Sequence, residues 1–334
     1  MRAVFKRFYT PMVMFSLFTI LASMVVFLIS IDIGSRILEF VAPWLESLAP
    51  MVPGDIFPYF FTLEMFQRAL LAAVMVTIVA GILGSFLLIR NLALIGDGLA
   101  HVSFGGVAIG LVASASNPLN YALLFSVIAA ILIYELQRRG ILTGDAAIAV
   151  FLTGMLALGL VVLRVYGGGI TSDIEGYLFG SLLLVDEESL NWIAAVSIVS
   201  FVLLIIFYSA LLSTTIDPLA ARVQGIPEHA IGLGFIIVTA VVVVSMVQVI
   251  GALLVTALLV TPAATGQLVG RSFRSCIIWT QFFGLSAVLI GLYMSAERDT
   301  GSGAMIALVS ALIFAAVLLS KSVILGLTKP NDNH

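Results

Sequence analysis

Between Ile231 and Val269 the chain runs thirty-nine residues without one charged side chain. As a single helix that run would extend about 58 Å at 1.5 Å per residue. The hydrocarbon core of a bilayer is only about 30 Å thick. The run must therefore turn back on itself, most simply near residues 248–251, with Pro262 kinking the second arm. A segment of this kind has no place in a water-soluble domain. Composition agrees: 61% of the 334 residues are hydrophobic and 10% are charged, against about 25% charged in an ordinary soluble domain. The net charge of −3 is too weak and too diluted for nucleic-acid binding. A single cysteine, Cys276, excludes an intrachain disulfide framework and any cysteine metal cluster. The expected fold is an all-α, polytopic helical membrane protein.

The basic residues fall in islands between apolar stretches: Arg2, Lys6 and Arg7; Arg90; Arg138 and Arg139; Arg222; Arg271 and Arg274; Lys321 and Lys329. Positive charge near span ends marks the cytoplasmic side. If every island is cytoplasmic, an even number of crossings separates neighbours, and the apolar lengths fit two in each interval. The expected spans are 12–31, 67–89, 92–113, 119–137, 145–165, 191–212, the two arms of 231–269, 276–296 and 303–320. Ten transmembrane helices result, with both termini cytoplasmic. Eleven of fifteen basic residues then lie inside and twelve of eighteen acids outside, the latter as solvated loop charge or as a cation-attracting vestibule.

The first apolar run is longer than a signal-peptide core and lacks an Ala-x-Ala ending, so a retained span is expected. Residues 33–62 form the longest extramembrane connection. Ile37, Leu38, Val41, Trp44, Leu45 and Leu48 recur there at helical spacing, which predicts an interfacial amphipathic helix. Three regions follow: 1–66, an N-terminal span plus extracytoplasmic segment; 67–325, the core; and 326–334, a cytoplasmic tail.

Asp97 and His101 stand four apart in Leu92-Ala93-Leu94-Ile95-Gly96-Asp97-Gly98-Leu99-Ala100-His101, on one face of a helix. An acid at the centre of a membrane helix costs about 2.5–3.5 kcal/mol on an insertion scale, so it needs a partner or a wet cavity. Carboxylate plus imidazole is a ligand pair for Zn²⁺, Mn²⁺ or Fe²⁺. The competing reading makes Asp97 a helix-end residue near the cytoplasmic surface and His101 a donor to a backbone carbonyl. The other histidines are His229 and His334, so any further ligands come from another helix, water or carbonyls. Gly106 and Gly110 are spaced for close helix packing, as are Gly81 and Gly84.

Asp217 to Gly225 reads as a complete short helix: Asp217 as N-cap, Pro218 at the first position, Gly225 as the left-handed stop. So short a helix is marginal alone and either lies against its own bundle or inserts into a cytoplasmic partner. The phosphate loop G-x-x-x-x-G-K-[ST] and the zinc-protease H-E-x-x-H are absent, and so is a serine elbow. The chain is not expected to be an enzyme.

The stretch from Gly84 to His101 resembles the signature of the ABC-3 family of metal-transport permeases, the zinc and manganese ABC importers. Tyr177-Leu178-Phe179-Gly180-Ser181-Leu182-Leu183, the Asp217–Gly225 segment and the block from Gly251 to Ala264 match further family segments in order. The resemblance implies an ABC importer permease. Its implied partners are cytoplasmic ABC ATPase subunits that hydrolyse the ATP, an extracytoplasmic metal-binding protein, and a second permease copy in a homodimer. It implies that Asp97 and His101 belong to the translocation site. It also implies that Asp217, Pro218, Leu219, Ala220, Ala221, Arg222 and Gly225 couple to the ATPase. The implied cargo is a divalent metal ion, zinc by slight preference, manganese or iron otherwise, with no stably bound cofactor. The implied location is the inner or plasma membrane. Gly105 stands where the family usually has proline, and the outer loop at Glu297-Arg298-Asp299 lacks another. The alternative is a secondary carrier or channel that uses Asp97 and His101 as a proton or ion relay.

Overall fold

Hydrocarbon offers no hydrogen bonds, so a backbone that crosses it must bond to itself, and this chain does so as helices. A computed structural model describes residues 19–115, 117–166, 185–252 and 255–328. Residues 177–183, the first part of the 12–31 span and residues 329–334 lie outside them. The helices are α1 (Thr19–Ser30), α2 (Ile33–Leu48), α3 (Tyr59–Thr62), α4 (Glu64–Ile89) and α5 (Ile95–Val112). There follow α6 (Leu119–Arg138), α7 (Gly144–Tyr166), α8 (Glu187–Ile206), α9 (Tyr208–Ile216) and α10 (Pro218–Val223). The last are α11 (Glu228–Ile250), α12 (Val255–Leu259), α13 (Thr261–Val269), α14 (Phe273–Arg298) and α15 (Ser302–Thr328).

Among the described residues eight helices are long and apolar enough to cross a membrane, and the bent pair α1–α2 raises the number to nine. The uncharged run reverses at Gly251, whose φ of 83° suits a residue without a Cβ. Its second arm is the expected one, an apolar helical segment over Val255–Val269 whose two parts, α12 and α13, meet at Val260. Val260 N–H bonds Thr256 O and Ala264 N–H bonds Val260 O, so helical bonding runs on through the junction, and Pro262 removes only the bond its own N–H would have made. The segment is shorter than the eight spans. The expected 191–212 span is likewise divided at Phe207, between α8 and α9.

Local chemistry sets the ends. α4 stops at Arg90, with Asn91 left-handed (φ 55°). Leu92 N–H then bonds Leu87 O and Asn91 N–H bonds Leu88 O, which pairs two of the orphan carbonyls. Asp186 caps α8 by accepting from Ser189 N at 2.8 Å. α4 and α5 are the most enclosed spans, whereas α7 and α15 are largely peripheral. α5 packs on α6 and α7, and α4 on α8 and α14. An aromatic cluster of Phe86 with Tyr208, Phe235 and Phe273 fills the end of the bundle near Arg90.

The residues expected to form an interfacial helix are helical, as α2, bent 53° from α1. Its apolar residues divide differently from the single stripe anticipated. Leu38 is buried and Leu45 packs on the core, but Trp44 and Phe40 face outward. Polar contacts hold this segment at both ends. Asn191 of α8 accepts from Ser35 N at 3.1 Å and donates to Asp32 Oδ1 at 3.3 Å. At the other end the Glu297 carboxylate, in the last turn of α14, accepts from the backbone N–H groups of Asp55, Ile56 and Phe57 at 2.9–3.1 Å. Phe57 stacks edge-on against Tyr293 nearby. Replacing Glu297 by Ala is expected to remove hydrogen-exchange protection from the Asp55–Phe57 amides while α4 stays protected. Unchanged exchange at those amides would show that the aromatic contacts hold the turn alone.

Candidate functional site

α5 is built to be approached closely. A Cβ at Gly98 would meet Ile148 Cγ2 at 2.6 Å, and one at Gly105 would meet Met155 O at 2.6 Å, both on α7. One at Gly106 would meet Tyr121 O on α6 at 2.7 Å, and one at Gly96 would meet Leu259 Cδ2 on α12 at 2.8 Å. The packing role expected of Gly106 and Gly110 is therefore played against α6. These contact lines occupy three sides of α5 and leave the side that carries Asp97 and His101. Higher on that side, Phe104 and Ala108 are sealed by packing with Leu163 of α7. At the pair itself the Asp97 side chain remains 32% exposed and that of His101 10%.

Asp97 lies in the first turn of α5, where the helix dipole favours a carboxylate. His101 Nδ1 sits 2.9 Å from the backbone O of Asp97 and 3.5 Å from its Oδ1. The short contact is to the carbonyl, which can only accept, so Nδ1 carries the proton. A ring so anchored through Nδ1 leaves Nε2 as the nitrogen available to a metal. Part of the competing expectation is thus observed: His101 does bond a backbone carbonyl, and Asp97 is near a helix end. That arrangement orients a ligand as well as it satisfies a histidine. Among the described residues no group of three His, Cys, Asp or Glu is placed to hold a metal, so none of them adds a third such ligand to the pair. Asp32, Glu187 and Glu188, three of the acids expected outside, gather with Asn191 in an open groove between α1 and α8, a separate place in the fold.

The second predicted constellation folds as expected. Asp217 Oδ1 accepts from Leu219 N and Ala220 N, both at 2.9 Å. Pro218 opens α10, and Gly225 takes φ 82° beyond its end. Ile226 N–H bonds Ala221 O and Gly225 N–H bonds Arg222 O, closing the helix in a Schellman motif. Ala221 and its neighbour Ala220 face the bundle side, Ala221 fully buried. Leu219 and Val223 are 71% and 89% exposed. Arg222 grips Glu228 through Nε (2.9 Å) and Nη2 (2.7 Å), tying α10 to α11.

Sequence reasoning passed over Arg90 as a site residue. Its Nε donates to Thr215 Oγ1 at 2.9 Å and its Nη2 to Thr214 Oγ1 at 3.1 Å. Its guanidinium lies 4.6 Å over the Phe235 ring. Burial lowers its pKa, opposed by the fields of Tyr134 and Glu228, but an arginine keeps its charge. The available signal was its isolation: a lone cation bounded by apolar runs on both sides.

The sequence profile described as ABC 3 transport family matches residues 62–321. The chain is 33% identical over 250 residues to the manganese transport system membrane protein MntC of Halalkalibacterium halodurans, covering 75% of this chain and 85% of that one. It is 30% identical over 258 residues to the high-affinity zinc uptake system membrane protein ZnuB of Haemophilus influenzae, covering 77% and 98%. Among solved structures it is similar to PsaBC of Streptococcus pneumoniae, determined in complex with a Fab. The TM-score is 0.69 at 30% identity, over 78% of this chain and 93% of that chain.

Proposed function

The chain belongs to the ABC 3 transport family, and from that membership we propose that it is the permease subunit of an ATP-driven importer of divalent metal ions. Residues 67–325 form the permease core, residues 1–66 an N-terminal addition and residues 326–334 a cytoplasmic tail. Two copies form the pathway in the plasma membrane, with both termini cytoplasmic. Separate ATPase subunits drive alternating access, and an extracytoplasmic metal-binding protein delivers the ion.

The observation that carries this reading is the anchored His101. With Nδ1 spent on the Asp97 carbonyl, an imidazole Nε2 and a carboxylate are offered together on the side of α5 that its close glycine contacts leave unused. The metal is cargo rather than cofactor, and two ligands from one helix suit a site that must also release it. Such a site loses affinity on acidification, because the imidazole must be neutral to bind. Relatives are named for manganese and for zinc, and borderline N/O ligands serve both ions. Competition between Mn²⁺ and Zn²⁺ for uptake into vesicles containing the whole transporter tests the assignment. Uptake that needs no ATPase and follows a pH gradient would favour a proton-coupled carrier instead.

Asp217, Pro218, Leu219, Ala220, Ala221, Arg222 and Gly225 make α10 the docking helix for the ATPase. Its exposed Leu219 and Val223 supply the apolar contact, and its caps keep six residues helical before any partner arrives. Leu219→Asp together with Val223→Asp is expected to weaken ATPase association by roughly thirty-fold or more, the size of a lost interface hot spot. Co-purification of the ATPase with the membrane subunit measures it. Full retention of the ATPase by that variant would assign α10 to the bundle surface.

A further inference from the structure

Arg90 ends α4 and opens the turn that delivers the chain to Asp97. Its charge meets no carboxylate in ion-pair contact among the described residues; its polar contacts are the two threonine hydroxyls at the end of α9. Each of those hydroxyls has one hydrogen, and both give it to the same acceptor, Leu211 O, at 3.1 Å from Thr214 and 2.6 Å from Thr215. Only oxygen lone pairs remain, and a guanidinium has only donors. The match is therefore directional, and Phe235 of α11 covers the flat face of the cation. One side chain thus joins the end of α4 to α9 and α11.

α9 leads directly into α10. Only Asp217 stands between them, in extended conformation (φ −144°, ψ 95°). A displacement of α10 is passed to the last turn of α9, where Thr214 and Thr215 lie. Resting on the transport reading above, we propose that Arg90 is the positioning residue through which movement of α10 reaches the Asp97–His101 turn, with Thr214 and Thr215 as its grip. Bonds from a cation to neutral oxygens hold direction yet can be remade when α9 shifts, as a part that changes its position in each cycle requires. A residue that only packed α9 on α4 would not need a directional donor pair.

The test uses the whole transporter in vesicles, with Mn²⁺ and Zn²⁺ uptake and ATP hydrolysis measured on the same preparation. Thr214→Val with Thr215→Val keeps the side-chain shape and removes both oxygens, whereas Thr214→Ser with Thr215→Ser keeps them. The valine pair is expected to lower metal moved per ATP hydrolysed about tenfold, within the usual range of coupling between sites. The serine pair is expected to keep the unaltered ratio. Arg90→Gln should match the valine pair, and the triple variant should lose no more than either. The proposal is overturned if the valine pair keeps the unaltered ratio, or if the losses multiply. Should Arg90→Gln fail to assemble, the two threonine pairs decide. If the unaltered transporter moves neither ion, it is the transport reading that fails, an outcome distinct from normal transport by the variants.

Discussion

Asp97→Asn is expected to abolish metal uptake by the assembled transporter while leaving the permease itself folded. The substitution is nearly isosteric, and the hydrogen bond that orients His101 uses the backbone oxygen of residue 97, which Asn retains. The Oδ1–Nδ1 separation of 3.5 Å makes the side chain a poor hydrogen-bond partner of the ring. The structural cost is thus mainly the lost charge at the start of α5, about 0.3–1 kcal/mol where a helix dipole is involved. The functional cost is larger. Changes outside the ligand shell already reduce metal affinity about 10–100-fold, so loss of the charged ligand should exceed about 100-fold in uptake. Mn²⁺ and Zn²⁺ uptake, with the elution profile of the purified complex as the folding control, separates these effects. Normal uptake by Asp97→Asn would take Asp97 out of the mechanism.

Gly84→Leu is expected to prevent folding altogether. A Cβ at this position would run into Leu259 O, a main-chain atom of α12 that no rotamer change can move. Nor can α12 retreat, because the Leu259 side chain is already pressed on Gly96 of α5, 2.8 Å from where a Cβ would stand. Leu259 is wedged between α4 and α5. Overpacking of a compliant core costs about 1–3 kcal/mol; here the clash at Gly84 is with backbone and the Leu259 side chain already fills the space towards α5, so the loss should reach the whole stability of the bundle. Gly234 of α11 makes the control. No heavy atom lies within 4 Å of its missing Cβ, so Gly234→Ala should be neutral or stabilising by about 0.5–1 kcal/mol. Size-exclusion profiles and melting temperatures in detergent report both. A monodisperse Gly84→Leu protein with an unaltered melting temperature would refute the wedge.

Family membership and the approximate number of spans, ten expected against eight or nine among the described residues, were legible because they rest on short-range information. The turn at Gly251 follows from the length of an uncharged run against bilayer thickness, and the caps of α10 follow from Asp217, Pro218 and Gly225 in their own nine-residue window. The disturbance between α12 and α13 was legible from Pro262. Its tertiary setting was not: nothing in the local sequence says that Leu259 lies between Gly84 of α4 and Gly96 of α5. The division of α2 into a packed and an outward apolar side was missed for a related reason. Apolar spacing shows that two surfaces exist, but it does not say that Gly34 of α2 lies against the backbone of Leu190 and Asn191.

The sequence by itself determined that this chain is a polytopic helical membrane protein, roughly where most of its spans lie, and that Asp97 and His101 share one face. Hydropathy and capping act within a few residues, so these features can be read without a fold. Only the tertiary structure decided which sides of α5 its close glycine contacts occupy, that Nδ1 of His101 bonds a carbonyl, and that Arg90 meets Thr214 and Thr215, more than a hundred positions away. In a helix that is apolar all round, every face looks alike to a periodicity argument. Which face meets which neighbour is then set by close approach at glycines and by a few polar contacts between distant segments.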